Sequence, residues 1–74
     1  MKDILRKIAD ILYYVPNMNR DTMGSIINPI ETEEEANRML EYLKKNKNEL
    51  KTGYLIKHKM EIIKSKGGII WHHI

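Results

Sequence analysis

Apolar side chains recur along the start of the chain at the spacing of a helix. Ile4, Leu5, Ile8, Ile11, Leu12 and Val15 fall at i, i+1, i+4, i+7, i+8 and i+11, which puts all six on one face. Asp3–Lys7 and Arg6–Asp10 stand at i,i+4 on the other side, where opposite charges support a helix. The pattern predicts a helix over residues 3–14. Pro16 ends it, because the proline ring disfavours helical geometry at Val15.

Residues 16–31, PNMNRDTMGSIINPIE, contain both prolines of the chain. A structureless loop of that length is unusual in so small a domain. Asn19 is a suitable N-cap for a short helix in which Met23, Ile26 and Ile27 share a face at i, i+3 and i+4. Gly24 weakens such a helix by about 1 kcal/mol relative to alanine. These apolar residues are expected to plug the open end of a bundle.

The clearest start signal is IETEEEANRMLEYLKKNKN. Thr32 and Glu35 have the spacing of a capping box, in which each side chain satisfies an unpaired backbone N–H of the first turn. Glu33, Glu34 and Glu35 lie near the positive end of the helix dipole, with Lys44 and Lys45 near its negative end. Ala36, Met39, Leu40 and Leu43 form the stripe expected to be buried in a helix over residues 32–46. The three glutamates are expected to radiate outward. Capping and the dipole explain them without acid–base chemistry.

The segment TGYLIKHKMEIIKSKGG supports two readings. A helix running from an N-cap at Thr52 to a stop at Gly67 puts Leu55, Ile56, Ile62 and Ile63 on one broad face, with Met60 at its margin. Lys59 then sits near the middle of that face and has to snorkel. A strand instead alternates Tyr54, Ile56, His58, Met60 and Ile62 against their neighbours, and Gly67–Gly68 returns IIWHHI as the second strand of a hairpin. Lys57, Lys59, Lys64 and Lys66, together with the marginal stability of a lone two-stranded hairpin, count against the strand. The expected fold is therefore all-α, a single domain over residues 1–74 with three main helices plus a short linking helix. The alternative is α+β with a C-terminal β-hairpin.

Size sharpens this picture. A domain of 74 residues buries only about 60% of the surface its unfolded chain exposes, and domains of this size often lean on a crosslink, a metal or a partner. Cysteine is absent, which excludes disulfides and thiolate metal sites. Arg6, Lys7 and Asp10 interrupt the N-terminal apolar run, unlike a secretory h-region. No stretch approaches the roughly 18 apolar residues of a spanning helix. A cytoplasmic location without a membrane partner is expected.

The net charge of +3 conceals an asymmetry. Basic and acidic side chains cancel over residues 1–31, Arg38 against four glutamates leaves −3 over residues 32–43, and eight lysines against Glu49 and Glu61 leave +6 over residues 44–74. Such a dipole points toward polyanions. The lysines are Lys44, Lys45, Lys47, Lys51, Lys57, Lys59, Lys64 and Lys66. As hydrated point charges they suit phosphate contact, whereas the segment has no arginine to read base edges.

The remaining candidates are sparser. Ile69, Ile70, Trp71 and Ile74 read as a lid packed on the core with the indole N–H near water, or as an edge pairing with a second copy or a partner's strand. Adjacent His72 and His73 point to opposite faces of a strand and lack the i,i+4 spacing of a helical metal pair, so a site would need His58 and a carboxylate such as Glu61. No metal or cofactor is expected. Tyr13 and Tyr14 are potential interface anchors, one expected to cover the core edge and the other to face water. No nucleophile–base pair or phosphate-cradling loop appears, and a chain this small struggles to enclose a substrate pocket. The expectation is a non-enzymatic protein–protein interaction module, binding a partner protein or a second copy and no small-molecule substrate. The alternative is an accessory protein binding DNA or RNA non-specifically through the lysines.

Residues 22–48, TMGSIINPIETEEEANRMLEYLKKNKN, resemble small proteins carried by bacterial mobile elements and prophages. The resemblance covers about a third of the chain and contains no catalytic motif, so it carries over no site residue. It implies a compact helical protein with an accessory role in transposition, conjugation or phage regulation.

Overall fold

The computed structural model of the protein describes residues 1–65. They form α1 (Lys2–Leu12), α2 (Arg20–Ile27), α3 (Glu33–Lys45), a 3-10 turn (Lys47–Glu49) and α4 (Thr52–Lys64). No strand occurs among the described residues. The fold is the all-α bundle expected, and the segment with two readings is helical through Lys64. The Gly67–Gly68 turn and everything after it lie outside the described residues.

α1 stops two residues short of the expected helix end at residue 14. The Tyr14 N–H donates to the Ile11 carbonyl at 3.2 Å and the Val15 N–H to Leu12 at 3.0 Å. These i→i+3 bonds tighten the last turn and deliver the chain to Pro16. Asn17 then takes φ 66°, a left-handed geometry that asparagine tolerates better than most residues. Asn19 caps α2 as expected, its Oδ1 accepting from the Thr22 N–H at 2.9 Å.

Both halves of the α3 capping box are present. Thr32 Oγ1 accepts from the Glu35 N–H at 3.1 Å, and Glu35 Oε1 accepts from the N–H groups of Thr32 at 3.3 Å and Glu31 at 2.8 Å. Glu35 does not radiate outward, however. It is only 6% exposed, and its Oε2 accepts from Lys64 Nζ at 2.6 Å. Reaching back over the cap turns its carboxylate inward, where a buried charge needs partners and finds three donors. Beside it, Arg38 Nε donates 2.7 Å to the carbonyl of Ile63, one of the last α4 carbonyls, which have no intrahelical partner. The first half of α3 therefore grips the end of α4.

The other end of α4 is tied to the turn after α1. Thr52 is not an N-cap: Lys51 holds that position without a side-chain bond, and Thr52 Oγ1 donates to the Pro16 carbonyl at 2.6 Å. Midway, Lys59 snorkels toward α2 rather than toward water. Its Nζ donates to the Ser25 carbonyl at 2.9 Å and reaches Ser25 Oγ at 2.5 Å.

α1 and α4 each pack on both α2 and α3. The core is built from Ile8, Leu12 and Val15 of the α1 segment, Ile26 and Ile30, the full α3 stripe, and Leu55, Ile62 and Ile63. Ile56 does not join it, being 40% exposed, with Met60 at 45%. The expected face was too broad, because α4 turns Leu55, Lys59, Ile62 and Ile63 toward its neighbours and leaves Ile56 and Met60 on its free flank. Neither Asp3–Lys7 nor Arg6–Asp10 closes to ion-pair distance. The α1 end is instead pinned by the Met1 amino group, 3.6 Å from Glu33 Oε2.

Truncating the centre of this core should be costly. Leu43→Ala is expected to lower the urea unfolding free energy by about 2–5 kcal/mol, against no more than about 0.5 kcal/mol for Tyr14→Ala on the surface. Equal losses in the two variants would contradict the packing described.

The Glu35–Lys64 pair also sets a pH signature. The Lys64 ammonium foremost, then the Glu31 N–H, holds the Glu35 carboxyl below its ordinary value of 4.5. The Glu35 carboxylate in turn holds the Lys64 ammonium above its ordinary 10.5. The carboxyl's contribution to stability is present above 4.5 and is lost as pH falls through the lowered folded value. That of the ammonium is present below 10.5 and is lost as pH rises through the raised folded value. Chemical denaturation at a series of acid pH values should therefore show Glu35→Gln less stable than the parent near neutrality. The difference should shrink as the parent's carboxyl is protonated. A constant difference would rule out this linkage.

Candidate functional site

Where Thr52 meets Pro16, the chain's tyrosines front a set of grooves. Tyr14 lines a groove of about 500 Å³ with Ile11, Pro16, Asn48, Asp10 and Lys47. Tyr42 and Tyr54 line a second, of about 510 Å³, with Asn46, Asn48, Glu49 and Lys51. Asn48 belongs to both, so these two grooves adjoin. Tyr13 lines a third, of about 380 Å³, with Met18, Arg20 and Met23.

Tyr13 and Tyr14 meet edge to face, with ring centroids 5.2 Å apart and an interplanar angle of 90°. Both lie on the surface, 72% and 82% exposed. The expectation that one would cover the core edge is corrected. The tightened turn sends Val15 into the core instead and leaves both rings outside.

Tyr42 and Tyr54 lie parallel, centroids 6.5 Å apart and planes within 4°. The Tyr54 ring sits 4.1 Å from that of His58, whose Nδ1 is 2.6 Å from Glu61 Oε1. Burial foremost, then the neighbouring Tyr54 and Glu49, pushes the Tyr42 hydroxyl up to about 12.

The seven lysines of this set among the described residues have different surroundings. Lys59 and Lys64 are committed to Ser25 and Glu35. Lys47 shares its groove with Asp10, and Lys51 shares its own with Glu49. Lys44, Lys45 and Lys57 are exposed and form no ion pair among the described residues. Lys66 lies outside the described residues, as do Ile69, Ile70, Trp71 and Ile74, so the lid and strand readings of the tail fall there too. His58 and Glu61 come together, but on one helix. No group of three or more His, Cys, Asp or Glu side chains able to hold a metal occurs among the described residues, and His72 and His73 lie beyond them. No helix of the described residues is long and apolar enough to cross a membrane.

The grooves were missed by sequence reasoning, although a signal existed. Tyr13–Tyr14 stand before Pro16, Tyr42 precedes KKNKN, and Tyr54 follows Thr52. Every tyrosine thus lies close to a helix end, and three of those ends meet at one pole. The chain matches no protein-family model, no curated protein and no solved structure.

The environment of Tyr42 is directly measurable. Ultraviolet titration of the folded protein should contain a step near 12 that Tyr42→Phe removes. A raised value means that the fold holds the phenol proton, so this contribution to stability is present below 10.0 and lost as pH rises through about 12. Loss of the step in Tyr54→Phe but not in Tyr42→Phe would contradict the packing described.

Proposed function

We propose that the protein is a non-enzymatic interaction module that docks a partner protein at its tyrosine-lined end, with Tyr13 and Tyr14 as anchors. The observation that carries this reading is the exposed pair itself: two large aromatic rings in mutual contact, 72% and 82% exposed, beside ready-made grooves. Tyrosine is enriched at protein interfaces because its ring is apolar while its hydroxyl tolerates water. A few such anchors usually carry most of the binding energy.

Charge favours a protein over a polyanion. Asp10 beside Lys47 and Glu49 beside Lys51 leave both grooves close to neutral. A phosphate backbone laid there meets carboxylates as often as ammonium groups. A protein partner with a mixed polar rim meets a match. The buried carboxylate Glu35, moreover, is occupied as a helix cap.

A second reading rests on Lys44, Lys45 and Lys57, which are exposed and without ion pairs among the described residues. It makes the chain an accessory binder of DNA or RNA, in keeping with the mobile-element setting that the resemblance implies. Such binding falls steeply as salt rises, whereas an interface anchored by aromatic rings does not.

A photoreactive phenylalanine analogue placed at Tyr14, in the cells that make the protein, separates these readings. The expected result is a discrete protein adduct, absent when the analogue replaces Asn37 on α3 and weakened roughly tenfold or more by Tyr13→Ala. An adduct removed by nuclease would favour the second reading. Identical labelling from positions 14 and 37 would overturn the first.

A further inference from the structure

We infer that the partner docked at the tyrosine-lined end is a second copy of the chain, related by a two-fold axis. This rests on the docking surface proposed above and adds the identity of its occupant. A two-fold interface needs a self-complementary patch, in which residue i meets residue j of the other copy and the reverse holds too. The Tyr14 groove has that property. Asp10 on α1 and Lys47 on the 3-10 turn line it together, yet neither forms an ion pair among the described residues. A half-turn about an axis that runs midway between these two side chains sets Asp10 against the partner's Lys47, and Lys47 against the partner's Asp10.

Tyr14 lines the same groove, with Tyr13 against it. Tyr13 and Tyr14 already meet edge to face within one copy, and their outer surfaces are open to the same kind of packing by the opposing pair. Lys44 and Lys45 are not among the residues that line the Asp10–Lys47 groove. The net charge of +3 on each copy is therefore not concentrated in that groove. A domain of this size also gains most from burying such a surface, since its own core covers so little of the chain.

Charge reversal with mixing tests this arrangement. Asp10→Lys alone places lysine against lysine across the axis, and Lys47→Asp alone places aspartate against aspartate. A one-to-one mixture of the two variants restores both opposite-charge pairs in a heterodimer. Sedimentation velocity of the full chain, at concentrations up to the millimolar range, is expected to show a dimer for the parent. Each variant alone should dimerise at least roughly tenfold more weakly, and the mixture should return to within a few-fold of the parent. Thermal unfolding checks that each variant remains folded, and a misfolded variant is not rescued by mixing. A parent that stays monomeric throughout, a dimer indifferent to both reversals, or a mixture that does not recover would each overturn the inference. If the parent is monomeric while Tyr14 still cross-links to a different protein, self-pairing falls and the docking surface stands. If Tyr14 cross-links to nothing and no dimer forms, both fall.

Discussion

The Glu35 carboxylate is the constraint on which the rest of the structure depends. One oxygen accepts the backbone N–H groups of Glu31 and Thr32, and the other accepts Lys64 Nζ. Burying a carboxylate is unfavourable unless donors replace the water it loses. Here the donors come from the start of α3 and from the last turn of α4, so satisfying the charge requires those two elements to meet. The adjacent Arg38–Ile63 bond closes the same junction. Once α4 is anchored at this end, Lys59 falls beside Ser25 and Thr52 beside Pro16, and Leu55, Ile62 and Ile63 face the core.

The two poles of the bundle then differ in kind. At the Glu35 pole, strong polar groups satisfy one another. At the Pro16–Thr52 pole, tyrosine rings, asparagine amides and charges of both signs line grooves that the described residues leave open. The difference follows from local geometry. Turning Val15 inward places Tyr13 and Tyr14 outside, and the 3-10 turn brings Lys47 and Asn48 alongside them. One pole holds the fold together, and the other is the one we propose docks a partner.

The parts of this organisation legible in the sequence are those that depend on neighbours in the chain. The Thr32–Glu35 box, the Asn19 cap and the α1 and α3 stripes are all local patterns, and each is present in the fold. The bonds that orient α4 span much longer separations: 29 residues for Glu35–Lys64, 34 for Ser25–Lys59 and 36 for Pro16–Thr52. No periodicity reports such partners. Glu35 therefore looked like one of three dipole-compensating glutamates, and Thr52 like an ordinary N-cap. Ile56 looked like core because a helical pattern marks out a wider arc than packing covers. The candidate surface was hidden for a related reason. Its residues come from the end of α1, the end of α3, the 3-10 turn and the start of α4, and the lysines are divided among Glu35, Ser25, separate grooves and open surface.

The division between a structural pole and a docking pole is tested most directly by nitrogen-15 correlation spectra of the parent protein, recorded as it is diluted from millimolar to micromolar concentration. The expected result is a set of concentration-dependent shifts gathered on the end of α1, the 3-10 turn and the first turn of α4, with Thr32, Glu35 and Lys64 unmoved. Shifts centred instead on the Glu35 pole would contradict it, and spectra that do not change at any concentration would contradict self-pairing at the docking pole.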